Sequence, residues 1–282
     1  MATLEVHRKF FAELITAKAG KPQSQLTSAF AAIPRERYLG PGPWKVFTGR
    51  GYISIPSDDP ALLYQDIVVA LGEEHGINNG QPALHALCLA ALDLKKDENI
   101  VHIGAGTGYY TAVLAELVGP GGKVIAYEIE PGLAQRATRN LADLPQVTVH
   151  SHSGAEGLLP DCDAIYVNAG ATEPLDIWLD ALRLSGRLLF PLTPDGAGEM
   201  PGFGSMLLIT RVAEERFDAR LLFPVAFIPC IGARDRETAK KLAEAFKRQD
   251  TGTVRSLRRK TPPDETCWCS GKGWWLSTSE SI

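Results

Sequence analysis

Cysteine is scarce and ill-paired in this chain. Five occur among 282 residues, at positions 88, 162, 230, 267 and 269. An odd count at irregular spacing excludes a disulfide framework and points to a reducing compartment, hence a cytoplasmic location. Cys267-Trp268-Cys269 lacks the paired C-x-x-C knuckles or histidine partners of a zinc site, so no metal is expected. Charge of one sign is missing as well. Lys and Arg number 29 against 33 Asp and Glu, a net charge of −4. No global basic field draws nucleic acid or an anionic membrane. No apolar window approaches the length that spans a bilayer. Met1 to Gly20 is amphipathic and charged, without the apolar centre of a signal peptide.

Two further absences concern the stretch Asn99 to Leu114, NIVHIGAGTGYYTAVL. An apolar run, Ile100 to Ile103, leads into Gly104, Gly106 and Gly108, and a small, apolar segment follows. This reads as strand, tight turn and helix, the opening of a βαβ unit. A dinucleotide fingerprint needs its third glycine one residue later, where Tyr109 stands. A P-loop needs Lys and Ser/Thr after its last glycine, and Tyr109-Tyr110 occupy those places. A nucleoside ligand without phosphates fits better. S-adenosylmethionine has an amino-acid carboxylate that can face the helix N-terminus, and glycines let the main chain approach it closely.

The second strand supports that choice. Lys123 to Glu128 is a β-rich run ending on an acid. A carboxylate about 20 residues past the glycine turn accepts the hydroxyls of a ribose. Glu128 is the candidate, with Glu130 as the alternative.

The remaining elements alternate. Helices are expected over 3–19 and 23–32, then a Gly- and Pro-rich irregular arm over 39–60. A β-like run covers Ile67 to Val69, a polar loop Gly76 to Gln81, and a helix Pro82 to Leu92. Strands follow at 100–103, 123–128, 147–150, 163–168 and 186–191, with helices near 109–118, 131–142 and 174–183. Such alternation implies an α/β fold with a doubly wound, mostly parallel sheet. Residues 202–211 and 219–227 read as an antiparallel pair at its end. A helix is expected over 238–248 and a Trp-rich hairpin over 267–276. Three segments result: an N-terminal helical and irregular arm (1–75), a cofactor-binding core (76–232) and a C-terminal extension (233–282).

Several stretches in this order resemble the protein-L-isoaspartate O-methyltransferases, within the Rossmann-like class I S-adenosylmethionine-dependent methyltransferases. They are Ala29 to Tyr38, Leu63-Tyr64-Gln65-Asp66, Gln81-Pro82, His102 to Tyr109, Asp163 to Gly170, Leu184 to Pro191 and Phe227-Ile228-Pro229. The resemblance implies methyl transfer from S-adenosyl-L-methionine to a carboxylate of a protein or peptide, leaving S-adenosyl-L-homocysteine. It assigns the cofactor to Gly104, Ala105, Gly106, Thr107, Gly108, Tyr109, Glu128, Ser153, Gly154 and Asn168. On the acceptor side it points to Asp66, Asn79, Gly80 and His85.

The chain departs from the family at three places, one being the segment Glu73 to Gly76, which is a few residues longer. Asn78-Asn79-Gly80-Gln81-Pro82 stands where the family carries T-I-S-x-P, so Gly80 replaces a serine. His152-Ser153-Gly154 stands for G-D-G, so Ser153 replaces an aspartate. A small metabolite, a modified peptide or RNA is the alternative acceptor, and a non-catalytic cofactor-binding module the alternative role. Asp66 is open between orienting substrate, capping a loop and pairing with Arg35 or Arg37. His85 is open between a core histidine and the cofactor site. The basic run Arg255 to Lys260 and Trp268, Trp274 and Trp275 suit either an acidic partner or simple packing.

Overall fold

The computed structural model describes residues 3–20, 24–72, 76–196 and 202–281. The expectation for Gln23 and the insertion around His75 fall outside these residues. The helices are α1 (Leu4–Ala17), α2 (Ser24–Ala32), α3 (Glu36–Leu39), α4 (Pro82–Leu92), α5 (Tyr109–Val118), α6 (Pro131–Asn140), α7 (Asp176–Ala181) and α8 (Arg236–Lys247). The strands are β1 (Lys45–Phe47), β2 (Tyr52–Ser54), β3 (Asn99–Ile103), β4 (Lys123–Tyr127), β5 (Val147–His150) and β6 (Cys162–Val167). They continue with β7 (Leu182–Leu192), β8 (Phe203–Ala213), β9 (Arg216–Ala226), β10 (Ser256–Arg259), β11 (Cys267–Ser270) and β12 (Trp274–Ser277).

The chain forms two compact units. The first runs to Glu98 and includes Ala105–His152; the second joins Asn99–Gly104 to Ser153 and the rest of the chain. These units cut the chain differently from the three segments read on the sequence.

In the first unit β4 and β5 pair in parallel, with Val124 opposite Val147 and Tyr127 opposite His150. Helix α4 is apolar nearly all round, as a buried helix must be, with Ala83, His85, Ala86, Cys88, Leu89 and Leu92 buried. Its start is fixed by Pro82, whose missing N–H costs nothing at a first helical position. The segment expected to be irregular contains the β1–β2 hairpin, with Lys45 opposite Ser54 and Phe47 opposite Tyr52. The run at Ile67–Val69 makes only bridges, Val69 to Val46 and Ala70 to Asn78. Arg35 is wholly buried and donates to the carbonyls of Leu63, Gln65 and Ile67. One guanidinium thus satisfies three carbonyls of the segment 63–67.

In the second unit the strand order is β11-β12-β10-β9-β8-β7-β6-β3. β3, β6 and β7 are parallel, and every later pairing is antiparallel. The antiparallel part therefore exceeds the single pair expected, because the C-terminal extension adds three strands. The basic run supplies one of them, β10. Arg259 is buried there, 3.3 Å from Asp176, 2.6 Å from Asp180 and 2.7 Å from Glu215, and Lys260 pairs with Glu215 at 3.0 Å. The three tryptophans are buried too, with the Trp268 indole donating to Asp250 at 2.6 Å. Arg255 and Lys260 remain exposed.

Candidate active site

The first unit holds the glycine turn and the acid of the second strand. Gly106 and Gly108 have φ of +58° and +95°, a left-handed backbone that side chains disfavour. A Cβ on Gly108 would lie 2.7 Å from Leu141 Cδ1, so the turn also needs the space. Glu128 lies one residue beyond the end of β4. Its Oε2 accepts the Gly106 N–H at 2.6 Å and its Oε1 the Glu130 N–H at 2.9 Å. Burial raises the Glu128 carboxyl above its ordinary value, and these two amides oppose that rise. Two amides leave both oxygens with lone pairs, enough for a pair of hydroxyls. Glu130 itself is the residue before α6 and donates only main chain here.

Ala105 hydrogen-bonds from its N–H to the Tyr127 carbonyl at 3.1 Å, and Thr107 is buried. The Tyr109 side chain is buried. Its ring turns into an aromatic cluster, 5.7 Å from Tyr38 and 6.4 Å from Phe30 between centroids. Only its main-chain amide, at the head of α5, is placed for a ligand. The ring is large and apolar, and core burial outweighs exposure at the turn.

In the same unit Asn79 and Gly80 lie on the loop before α4, His85 within α4, and Asp66 earlier in the chain. Leu71 Cδ1 would be 3.3 Å from a Cβ on Gly106, so the segment carrying Leu71 packs on the glycine turn. Asn79 is buried; its main-chain N–H donates to the Val69 carbonyl at 3.0 Å, and its Oδ1 accepts the Val69 N–H at 2.8 Å. Its Nδ2 is buried without a hydrogen-bond partner among the described residues. Such a donor is costly to leave unsatisfied. Gly80 has φ +69°, and its N–H donates to Asn78 Oδ1 at 2.9 Å. A Cβ on Gly80 would lie 2.1 Å from His85 Nε2. The imidazole therefore occupies the space a side chain at 80 would take. His85 is buried and stacks on Tyr110 with centroids 3.6 Å apart.

Asp66 pairs with neither arginine. It accepts Lys18 Nζ at 2.7 Å, Gln81 Nε2 at 3.0 Å and the Ala83 N–H at 2.8 Å. Burial works to raise its carboxyl, but these donors together hold it below its ordinary value. It caps the start of α4 and fixes the loop that carries Gly80 and Gln81. Arg35 turns to carbonyls, and Arg37 forms a fork with Asp143 at 2.8 and 2.7 Å. The sequence offered no signal for Lys18, which lies 48 residues from Asp66.

The second unit carries the other candidates. Gly104 has φ +78°, and a Cβ there would meet Asn168 at 3.5 Å. The Asn168 amide meets His102 Nε2 at 2.8 Å, and its Oδ1 is buried without a partner among the described residues. Burial drives His102 down to about 3, so the imidazole it offers Asn168 is neutral. Ser153 Oγ accepts the Ala155 N–H at 3.1 Å. Gly154 is required by packing: a Cβ would lie 2.7 Å from Ile103 Cγ1, and its carbonyl accepts the Trp178 indole at 2.9 Å.

A strand, a left-handed glycine turn closed by a second-strand acid, and a helix define a Rossmann-like class I methyltransferase. Solved structures share the fold. A protein-L-isoaspartate O-methyltransferase superposes with a TM-score of 0.64 at 22% identity, over 92% of this chain and 74% of the other. A Plasmodium falciparum structure described as that enzyme in complex with S-adenosyl-L-homocysteine gives 0.60 at 21%, over 80% and 98%. The sequence pattern of the Protein-L-isoaspartate(D-aspartate) O-methyltransferase family matches residues 7–235. The Ignicoccus hospitalis enzyme of that name is 30% identical over 213 residues, 74% of this chain and 90% of the relative. The Rhodopseudomonas palustris enzyme is 31% identical over 221 residues, 77% and 89%. The chain belongs to the protein-L-isoaspartate(D-aspartate) O-methyltransferase family and is an S-adenosylmethionine-dependent methyltransferase. Among the described residues no helix is long and apolar enough to cross a membrane.

Proposed function

We propose that the chain methylates a carboxylate of a protein or peptide acceptor. When bound, S-adenosyl-L-methionine would supply an activated methyl group to an ionised carboxylate oxygen, with S-adenosyl-L-homocysteine as the leaving group. The acceptor needs no proton removed, because a carboxylate is ionised at neutral pH. What remains for the protein is positioning and exclusion of water.

Each residue then has a physical task. Glu128 receives the ribose hydroxyls on the lone pairs its two amides leave. Gly106 and Gly108 let main chain approach the amino-acid end, and the head of α5 faces its carboxylate. Gly104, Ser153, Gly154 and Asn168 are the second unit's candidates, each to be tested by its own substitution. Asn79 Nδ2, buried and unpartnered, supports a carboxylate acceptor: it is a ready donor for one carboxylate oxygen. Asp66 positions that loop through Gln81 and Ala83. This last contribution is mechanical, and Asp66 touches no reacting atom.

The observation that carries the reading is the buried acid closing the glycine turn at 2.6 Å. Calorimetric titration with S-adenosyl-L-homocysteine tests the cofactor half; absence of heat and of a thermal shift rejects it. Radiolabelled methyl transfer to an isoaspartyl peptide tests the acceptor half. Gly80 favours a second reading, in which the same fold serves another acceptor, since the family's serine hydroxyl is replaced here by an imidazole. Methylation of a small-molecule or RNA fraction, with isoaspartyl peptide inert, selects that reading.

A further inference from the structure

Helix α1 has two unlike faces. Phe11, Ala12, Ile15 and Thr16 turn inward and are buried. Val6, Phe10 and Leu14 lie on the other side and are 54%, 65% and 41% exposed. Residues four apart on a helix are neighbours, so these three side chains form one apolar stripe. A phenylalanine this exposed between two aliphatic neighbours marks an interaction surface, unlike an apolar residue exposed singly. No described residue covers the stripe.

The charges beside the stripe point to the occupant. Lys9 and Glu13 flank it on one side, and both are exposed. Lys9 pairs with Glu5 at 2.7 Å, but both side chains stand in solvent, so the pair is weak and Lys9 stays open to a second acid. The Glu13 carboxylate makes no hydrogen bond or ion pair with any described residue. The apolar positions 6, 10 and 14 read the same in either direction about Phe10. When α1 lies antiparallel on a second α1 with Phe10 on the twofold axis, Val6 faces Leu14 of the other copy and Phe10 faces Phe10. At about 1.5 Å of rise per residue, Glu13 stands about 4.5 Å to one side of that axis. Lys9 of the other copy stands about 1.5 Å to the same side, on the same flank, within reach of a long side chain. Symmetry makes that contact twice. A parallel pairing puts the two charged flanks on opposite sides and makes neither contact.

We propose that α1 docks antiparallel on α1 of a second copy of this chain, with Phe10 on the twofold axis and Glu13 paired to Lys9 across it. A twofold contact must be complementary to itself, and this face meets that condition in both its apolar and its charged residues. The helix has 14 residues. That is a length of about 21 Å, and one such helix covers less than the roughly 800 Å² per partner of a standard interface. The dimer is therefore weak and forms only as concentration rises.

The test is sedimentation equilibrium of the full chain from about 1 μM to several hundred micromolar, the range in which a contact of this size associates. The average mass should climb from that of the monomer toward twice that value. Phe10→Glu should remain monomeric throughout, with melting temperature and S-adenosyl-L-homocysteine binding unchanged, because position 10 takes no part in the core. Lys9→Glu and Glu13→Lys should each associate about tenfold more weakly than wild type. An equimolar mixture of those two variants should regain the dimer, since each supplies the charge the other lacks. A wild type that stays monomeric over the whole range overturns the proposal, and so does a dimer that survives Phe10→Glu. Charge variants that associate no better mixed than alone overturn the antiparallel pairing. Binding of the monomer to phosphatidylglycerol vesicles, lost in Phe10→Glu and without self-association, gives the stripe to a lipid surface and overturns the proposal as well.

Discussion

Restoring the family's serine, Gly80→Ser, should damage this protein, and the structure says by how much. Two costs apply. The backbone at 80 has φ +69°, where a residue with a Cβ is strained by roughly 1–2 kcal/mol. The new Cβ would also stand 2.1 Å from His85 Nε2, far inside contact distance. The imidazole cannot simply retreat, because it is buried and stacked on Tyr110 at 3.6 Å. Overpacking of this kind costs about 1–3 kcal/mol. The single variant should therefore lose roughly 2–5 kcal/mol, enough to lower the melting temperature of a domain this size by several degrees or more. Adding His85→Ala removes the imidazole from the clash but opens a small void of its own. The steric share of Gly80→Ser should vanish in that background and the backbone share persist. A double-mutant cycle by urea denaturation reads this directly: the coupling should be about 1–3 kcal/mol, in the sense of rescue. Additive effects, or a Gly80→Ser protein as stable as wild type, would refute the claim that position 80 and His85 compete for one space.

Four further expectations follow from named contacts. Glu128→Gln should abolish S-adenosyl-L-homocysteine binding by calorimetry, since an amide presents an N–H toward either Gly106 or Glu130. In the wild type the Glu128 carboxyl is raised, so it protonates on acidification earlier than an ordinary glutamate, and ligand affinity should begin to fall at correspondingly higher pH. Asp66→Asn should lower stability at pH 7; because the folded-state carboxyl is depressed, its contribution is present above the ordinary carboxylate range and lost as pH falls through the folded value. Urea midpoints of variant and wild type should thus converge as pH falls below the ordinary carboxylate range. Arg259→Leu should cost about 1–3 kcal/mol by chemical denaturation, through lost charge-assisted bonds to Asp176, Asp180 and Glu215 and lost packing over Phe217, without altering cofactor binding.

Local patterns carried much of the reading. The alternation of apolar runs and turn residues placed β3, β4, β5 and β6 to within a residue or two, because strand period and glycine turns are properties of a few neighbours. The antiparallel pair β8–β9 was legible for the same reason. Other features were not. The β1–β2 hairpin hides in a Gly- and Pro-rich stretch whose composition reads as irregular, and it exists because Val46 has a cluster to join. The basic run became β10 because acids from α7 and the β8–β9 turn converge on Arg259, partners that lie 44 to 83 residues away.

By itself the sequence determined the class of ligand. Three glycines at alternate positions, an acid after the second strand and no phosphate-binding residues are local facts, and they suffice for a nucleoside. Tertiary structure alone decided what each side chain does there. It turned the Tyr109 ring into the core, gave Asp66 to Lys18 and the head of α4, and left Asn79 Nδ2 buried without a hydrogen-bond partner among the described residues. It also filled the space beside Gly80 with His85. Those outcomes depend on which distant residues compete for the same volume and the same hydrogen bonds, and chain order does not record that competition.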